Sequence, residues 1–341
     1  MIKKRVSMKD IAQRLGISTA LVSYVLNGKL SDRINKATAS LVKDTAKEMG
    51  YQPNLLAKSL RNSKSYTIGL ILADIANPFS AHLARIIEDE AKKSEYTVIF
   101  GSADESHLKF NDLVQTFLSR QVDGFIIAAV EGAEELLRSL KEQNIPCVLI
   151  DRYFSGIEMN AVTTNNYQVS YDGIMKLRQN GFNRIGMLHL KSSLTPMTER
   201  VRGYQDAVSK DNTYTGDRYL IGIDEPDLKL QVVSAIDQLV SRDEPVDALF
   251  FASNLLAMEG LIHIRNLNLR VPEDIGILCF DQSAAYNLFY CPLSYIEQPI
   301  NEIGEQAVTI LLNSIDNSEL PVQDLVLESR LVMERSALKT S

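Results

Sequence analysis

The chain has 341 residues, 45% hydrophobic and 23% charged, with a formal net charge of −7. At roughly 150 residues per domain this is a globular composition for two or three domains, and it excludes a disordered or fibrous chain. No apolar run reaches the ~18 residues of a spanning helix, and the polar start Met-Ile-Lys-Lys-Arg lacks the apolar stretch of an export signal. The cysteines Cys147, Cys279 and Cys291 and the histidines His82, His107, His189 and His263 are scattered, so neither a disulfide framework nor a metal site is expected, and a reducing cytoplasm is. The charge is uneven. The first 65 residues hold 13 basic and 4 acidic residues, a net +9, and the remaining 276 carry −16. A basic head suited to a polyanion precedes an acidic body.

The head, 1–52, predicts three helices. Ser7 can cap the first, with Asp10 at its positive end and Ile11, Ala12 and Leu15 as a narrow apolar stripe ending at Gly16. Ile17 packs in the turn, and Ser18 caps a second helix over 19–26, closed by Asn27-Gly28. Leu21, Val22, Val25 and Leu26 are its expected buried face, while Thr19, Ala20, Ser23, Tyr24 and Asn27 look outward. A third helix, about 34–49, should cover the pair through Ala37, Leu41, Ala46 and Met49. Two short helices, a three-residue turn and a small-polar outer face on the second match a recognition helix in a major groove. Residues 53–65 follow as a short helix and linker, marginal alone in water at about eight residues.

In the body, 66–341, strand-like runs at 68–73, 98–101, 125–128, 147–150, 185–188, 249–252, 275–280 and 294–296 alternate with helical stretches. The helices fall near 80–93, 109–120, 134–143, 169–180, 199–209, 228–241, 255–266 and 300–312. That rhythm predicts parallel sheets with right-handed crossovers, and about 275 residues are too many for one sheet, so two lobes are expected. Ligands of such sheets bind beyond the strand carboxyl ends. The candidates there are Asp74, Ala103-Asp104, Asp151-Arg152, Asp281 and Gln298-Pro299.

The stretch from Ser7 to Gly28, Ser-Met-Lys-Asp-Ile-Ala-Gln-Arg-Leu-Gly-Ile-Ser-Thr-Ala-Leu-Val-Ser-Tyr-Val-Leu-Asn-Gly, with Met49-Gly-Tyr-Gln-Pro-Asn54 beyond it, resembles the N-terminus of the lactose-repressor (LacI/GalR) family, and the resemblance runs to the end of the chain. It implies an all-α helix-turn-helix DNA-binding domain joined to an α/β, two-lobed, periplasmic-binding-protein-like effector domain. It implies a homodimer or dimer-based tetramer on palindromic double-stranded operator DNA, and a sugar or phosphosugar effector that controls genes of carbohydrate use. Ser7, Thr19, Ala20, Ser23, Tyr24 and Asn27 fall at DNA-facing positions. Leu60 matches the leucine that wedges into the minor groove, beside Arg61 in a hinge helix that folds when paired on DNA. Asp74-Ile-Ala-Asn-Pro-Phe79 resembles the loop that sets an aromatic, Phe79, against the ligand. Arg200 matches an arginine that forks to effector oxygens, and Asn254 and Asp281 match polar groups of the second lobe. Asp104 and Asp151, taken from the strand-end rule rather than from the resemblance, complete the effector set. Two residues depart from the family pattern: Tyr24 stands where members commonly carry arginine, and Leu255 where many carry aspartate. Alanine at position 20 can touch a thymine methyl but cannot hydrogen-bond a base edge.

Neither a phosphate loop nor GxSxG, GxGxxG or HExxH occurs, so no enzyme and no cofactor is expected. The rival readings are a purine- or nucleotide-responsive regulator of the same kind and a periplasmic sugar receptor. The basic head and the polar start argue against the receptor.

Overall fold

The structure, a computed structural model, describes residues 6–26, 33–51, 64–209 and 216–339, which form two units dividing between Ser65 and Tyr66. Asn27, Leu60, Arg61 and most of the expected hinge segment lie outside the described residues.

The head unit contains α1 (Met8–Leu15), α2 (Thr19–Leu26) and α3 (Lys36–Glu48). Its core is Ile11, Ala12, Val22, Val25, Val42 and Ala46. Two details of the expected packing change. Leu41 is 55% exposed and Ala37 also faces solvent, while Val42, Thr45 and Ala46 are buried with Met49 packed alongside. The buried spacing 42-45-46-49 is one helical stripe, turned by one residue from the expected one. Leu21 is half-exposed and stands outside the core that Val22 and Val25 share.

In the body the elements follow as β1 (Thr67–Leu72), α4 (Pro78–Lys93), β2 (Thr97–Ser102), α5 (His107–Ser119), β3 (Gly124–Ile127), α6 (Glu134–Glu142), β4 (Cys147–Ile150) and β5 (Asn160–Thr164). Then come α7 (Asn166–Gln179), β6 (Ile185–Leu190), α8 (Thr195–Val208), β7 (Leu220–Ile223), α9 (Leu228–Val240), β8 (Ala248–Phe251), α10 (Asn254–Asn266), β9 (Gly276–Phe280) and β10 (Ser294–Glu297). The chain closes with α11 (Ile300–Asp316), β11 (Asp324–Leu327) and β12 (Arg330–Val332).

Two six-stranded sheets result, β11-β5-β4-β3-β1-β2 and β12-β10-β9-β8-β6-β7, parallel throughout except at the β10–β12 pair. The central strands are fully buried, as continuous apolar runs such as Ile68–Leu72 and Phe250–Phe251 require in a sheet covered on both faces. Each sheet has its own core. The first lobe is completed by α11 and β11 from the far end of the chain, so the chain passes between lobes three times, at 164–166, 297–300 and 327–330. α8 starts at Thr195, four residues before the expected start, because Pro196 sits in its first turn, where a missing N–H costs nothing. Among the described residues no helix is long and apolar enough to cross a membrane.

Candidate functional site

In the head, Ser7 builds a capping box: its Oγ accepts from the Asp10 N–H at 3.3 Å, and an Asp10 carboxylate oxygen accepts from the Ser7 N–H at 2.8 Å. The residue expected at the DNA thus also fixes where α1 begins. Gly16, at φ 65°, ends α1 in the left-handed region that glycine enters without strain. The turn to α2 is closed by the Leu21 N–H donating to Ser18 Oγ at 3.2 Å. Burial of Val22 and Val25 turns Thr19, Ala20 and Tyr24 to solvent and leaves Ser23 half-buried. Tyr24 is 41% exposed, so its ring is available to a polyanion. Lys9, Arg33, Lys36, Lys43 and Lys47 are exposed on the same small unit.

In the body, the strand carboxyl ends of both lobes converge on a cavity of about 290 Å³. Of the expected residues, Phe79, Asp151, Arg200, Asn254 and Asp281 line it together. Asp74 and Asp104 do not. Asp74 accepts from the Ala76 N–H at 2.9 Å in its own turn, and Asp104 is tied outside to Ser102 and Lys109. The next residue, Glu105, takes the lining position instead. Glu105, Asp151 and Asp281 all have positive φ, 55°, 57° and 71°, a turn geometry held at the ends of β2, β4 and β9.

Arg200, 6% exposed, comes from the second turn of α8. Its Nε donates to Asn166 Oδ1 at 2.7 Å, its Nη1 to the Ala252 carbonyl at 2.9 Å, and its guanidinium lies 3.5 Å over the ring of Phe280. Nη2 has no hydrogen-bond partner among the described residues. Burial lowers the Arg200 pKa, and the charges of Asp281 and Asp151 oppose that shift. Asp281, also buried, accepts from Gln298 Nε2 at 2.6 Å, and Gln298 Oε1 accepts from the Thr164 hydroxyl at 3.1 Å. Asn166 Nδ2 donates to the Thr164 carbonyl at 3.0 Å. The two charged groups are therefore linked by one hydrogen-bonded chain, Arg200–Asn166–Thr164–Gln298–Asp281, through two of the three interlobe connections. Burial raises the Asp151 carboxyl, with the Arg200 and Arg152 charges opposing and Asp281 and Glu105 adding to the rise.

The lobes touch around this cavity. Asn254 Nδ2 donates to Asn77 Oδ1 at 3.0 Å, which leaves the Asn254 carbonyl oxygen buried without a partner. The Ser193 N–H donates to Glu131 at 2.6 Å, and the Ser155 N–H to Thr195 Oγ1 at 3.1 Å. Leu194, from the second lobe, is buried in the core of the first. Arg152 donates to Glu105 at 2.7 Å and Lys191 to Asp224 at 2.6 Å. Glu105, Glu131, Lys191, Asp224 and Glu225 were not singled out by the sequence. The strand-end rule applied to β3, β6 and β7 would have reached Glu131, Lys191 and Asp224–Glu225.

Comparisons with known proteins follow these two units. Residues 7–54 match the family model described as bacterial regulatory proteins, lacI family, and residues 174–337 match the periplasmic binding protein-like domain. The HTH-type transcriptional regulator KdgR of Bacillus subtilis is 30% identical over 334 residues, 97% of each chain. Catabolite control protein A of Priestia megaterium is 29% identical over 335 residues, 97% of this chain and 99% of its own. The crystal structure of the lac repressor dimer bound to operator and the anti-inducer ONPF superimposes with a TM-score of 0.84 at 21% identity, over 98% of this chain and all of that one.

Proposed function

This chain belongs to the lacI family of bacterial regulatory proteins, DNA-binding transcriptional regulators rather than enzymes, and we propose that it is a cytoplasmic repressor of carbohydrate genes whose operator affinity is set by a sugar bound between the lobes. The observation that carries the effector reading is the pairing inside the cavity. Arg200 holds an unspent donor on Nη2, and Asp281 supplies a buried carboxylate acceptor from another strand end. A forked donor facing a carboxylate suits hydroxyl groups, which donate and accept at once. Among the described lining residues Phe79 is the only aromatic ring, which favours a sugar over a purine needing ring faces to stack on.

On the DNA side, Thr19, Ala20, Ser23, Tyr24 and Asn27 read the major groove, Ser7 sits at the backbone, and Leu60 with Arg61 enters the minor groove at the dyad. The chain acts as a homodimer, alone or as half of a tetramer, on a palindromic site. In the second lobe Phe289 and the exposed Tyr290 line a groove of about 1210 Å³ that also takes in Pro78 and His82 of α4, and a second copy would cover these rings and the exposed Leu288 beside them in sequence.

The test uses the full chain. Binding-site selection from random duplexes should return a palindrome, and a sugar that raises the melting temperature should change affinity for it. Phosphate contacts release counterions, so affinity should also fall steeply with salt. Selection that returns no palindrome, or a stabilising sugar that leaves operator affinity unchanged, refutes the reading.

A further inference from the structure

The cavity of about 290 Å³ between the lobes carries more negative charge than its cations balance. Among the described residues six carboxylates line it, from Glu105, Glu131, Asp151, Asp224, Glu225 and Asp281, against three cations, Arg152, Lys191 and Arg200. The cations are already engaged. Arg152 is paired with Glu105, Lys191 with Asp224, and Arg200 is held by Asn166, the Ala252 carbonyl and Phe280. Glu131 is occupied by the Ser193 N–H. The Glu225 carboxylate has no hydrogen bond or ion pair among the described residues, although the backbone carbonyl of this residue accepts from the Leu228 N–H. Its carboxyl is pushed up by desolvation and by Glu105, Asp74 and Glu131, with only Arg152 opposing.

A second observation points to an occupant. Asn254 lines the same cavity at 3% exposure, and its carbonyl oxygen is a buried acceptor with nothing donating to it. An acceptor in want of a donor, beside an excess of carboxylates, calls for N–H or O–H groups and for positive charge. A phosphate or carboxylate in this place would add like charge to a partly desolvated site.

Resting on the effector reading above, we propose that the effector is an amine-bearing sugar, whose hydroxyls meet Arg200 and Asp281 and whose ammonium group meets Glu225 at the acidic mouth of the cleft. Sugar phosphates and sugar acids are then poor ligands, and the effector class narrows from the sugars and phosphosugars expected from the sequence. Glu225, exposed on the turn that follows β7, is the specificity-determining residue.

The experiment measures the melting temperature and calorimetric affinity of the full chain with D-glucosamine, D-galactosamine and D-mannosamine, their N-acetyl derivatives, the parent hexoses and the hexose 6-phosphates. At least one free amine should bind roughly tenfold or more tightly than both its parent hexose and its N-acetyl derivative, the range of one charge-assisted hydrogen bond. The 6-phosphates should not stabilise the chain. In Glu225→Gln the amine should lose its advantage while the parent hexose binds as before. A hexose, an N-acetyl derivative or a 6-phosphate that binds as tightly as the amine overturns this inference and leaves the sugar reading standing. So does an amine preference that survives Glu225→Gln. A panel in which no saccharide shifts the melt overturns the sugar reading itself, and this inference with it.

Discussion

Replacing Arg200 tests the cleft most directly, because the side chain has two separable jobs. In the structure Nε and Nη1 satisfy Asn166 Oδ1 and the Ala252 carbonyl, and the charge stands near Asp151 and Asp281. Arg200→Ala strands both acceptors, each at about 1–3 kcal/mol, and removes a positive charge that balances the Asp281 and Asp151 carboxylates. A loss of about 2–4 kcal/mol follows, which lowers the melting temperature by roughly 5–15 °C in a body of this size. The second job belongs to Nη2. Losing a charged donor to a ligand oxygen costs about 1.5–3 kcal/mol, or roughly 10- to 150-fold in affinity. Arg200→Lys separates the two: it keeps the charge beside Asp151 and Asp281 but cannot fork. The expected result is a lysine variant that recovers most of the lost stability yet still binds the sugar at least roughly tenfold more weakly. Operator binding without effector should match wild type in both variants, since residues 7–54 carry the DNA-binding unit. Calorimetry with the stabilising sugar, thermal melts and operator anisotropy read the three quantities apart. A lysine variant with wild-type sugar affinity would show that Arg200 donates nothing to the ligand, and the placement of the effector between Arg200 and Asp281 would fall.

Three further outcomes are expected. The folded-state carboxyl of Asp151 titrates above its unfolded value of 3.8, so its contribution to stability is greatest at low pH and is lost as pH rises through the raised folded pKa; melting temperatures should therefore fall less, or rise more, for Asp151→Asn than for wild type as pH rises from about 4 to neutrality, and parallel curves over that whole range would refute this. Gly203→Ala puts a Cβ 2.4 Å from the Tyr167 carbonyl oxygen, where α8 crosses α7, so denaturant unfolding should show a loss of at least about 2 kcal/mol; an alanine variant as stable as wild type would mean the two helices can part there at no cost. Burial pushes the Cys147 and Cys279 thiols up to about 12, so in the native chain neither should react with a thiol reagent at neutral pH, and labelling of either before unfolding would contradict their burial.

The sequence made the sheets legible where both faces are buried, because β1, β3, β4, β8 and β9 are unbroken apolar runs. It concealed β5, β7, β11 and β12. β5 reads Asn-Ala-Val-Thr-Thr, yet Thr163 and Thr164 are buried beside the passage into the second lobe. β11 and β12 are edge strands of four and three residues, placed by partners far away in sequence. The same contrast governs the site. Arg200 and Asp281 could be named from family resemblance, and Asp281 and Asp151 from the strand-end rule as well. Asp104 was one residue off, because the positive φ of both Asp104 and Glu105 turns the second of the two toward the cleft. Asn166 and Thr164 carry no such mark. They are small polar residues at the end of one strand and the start of one helix, and their role appears only when the interlobe passages lie side by side.

That placement has a mechanical consequence. Among the described residues, Arg200 and Asp281 are joined through Asn166, Thr164 and Gln298, which lie on two of the three segments that connect the lobes. A ligand held by both end groups would draw on hydrogen bonds that these connecting segments also use, and Asn254–Asn77 and Glu131–Ser193 close across the same gap. Binding can therefore favour one lobe arrangement over another without touching the head. A preference of that kind is what a ligand needs to shift an equilibrium, because equal affinity for both arrangements shifts nothing.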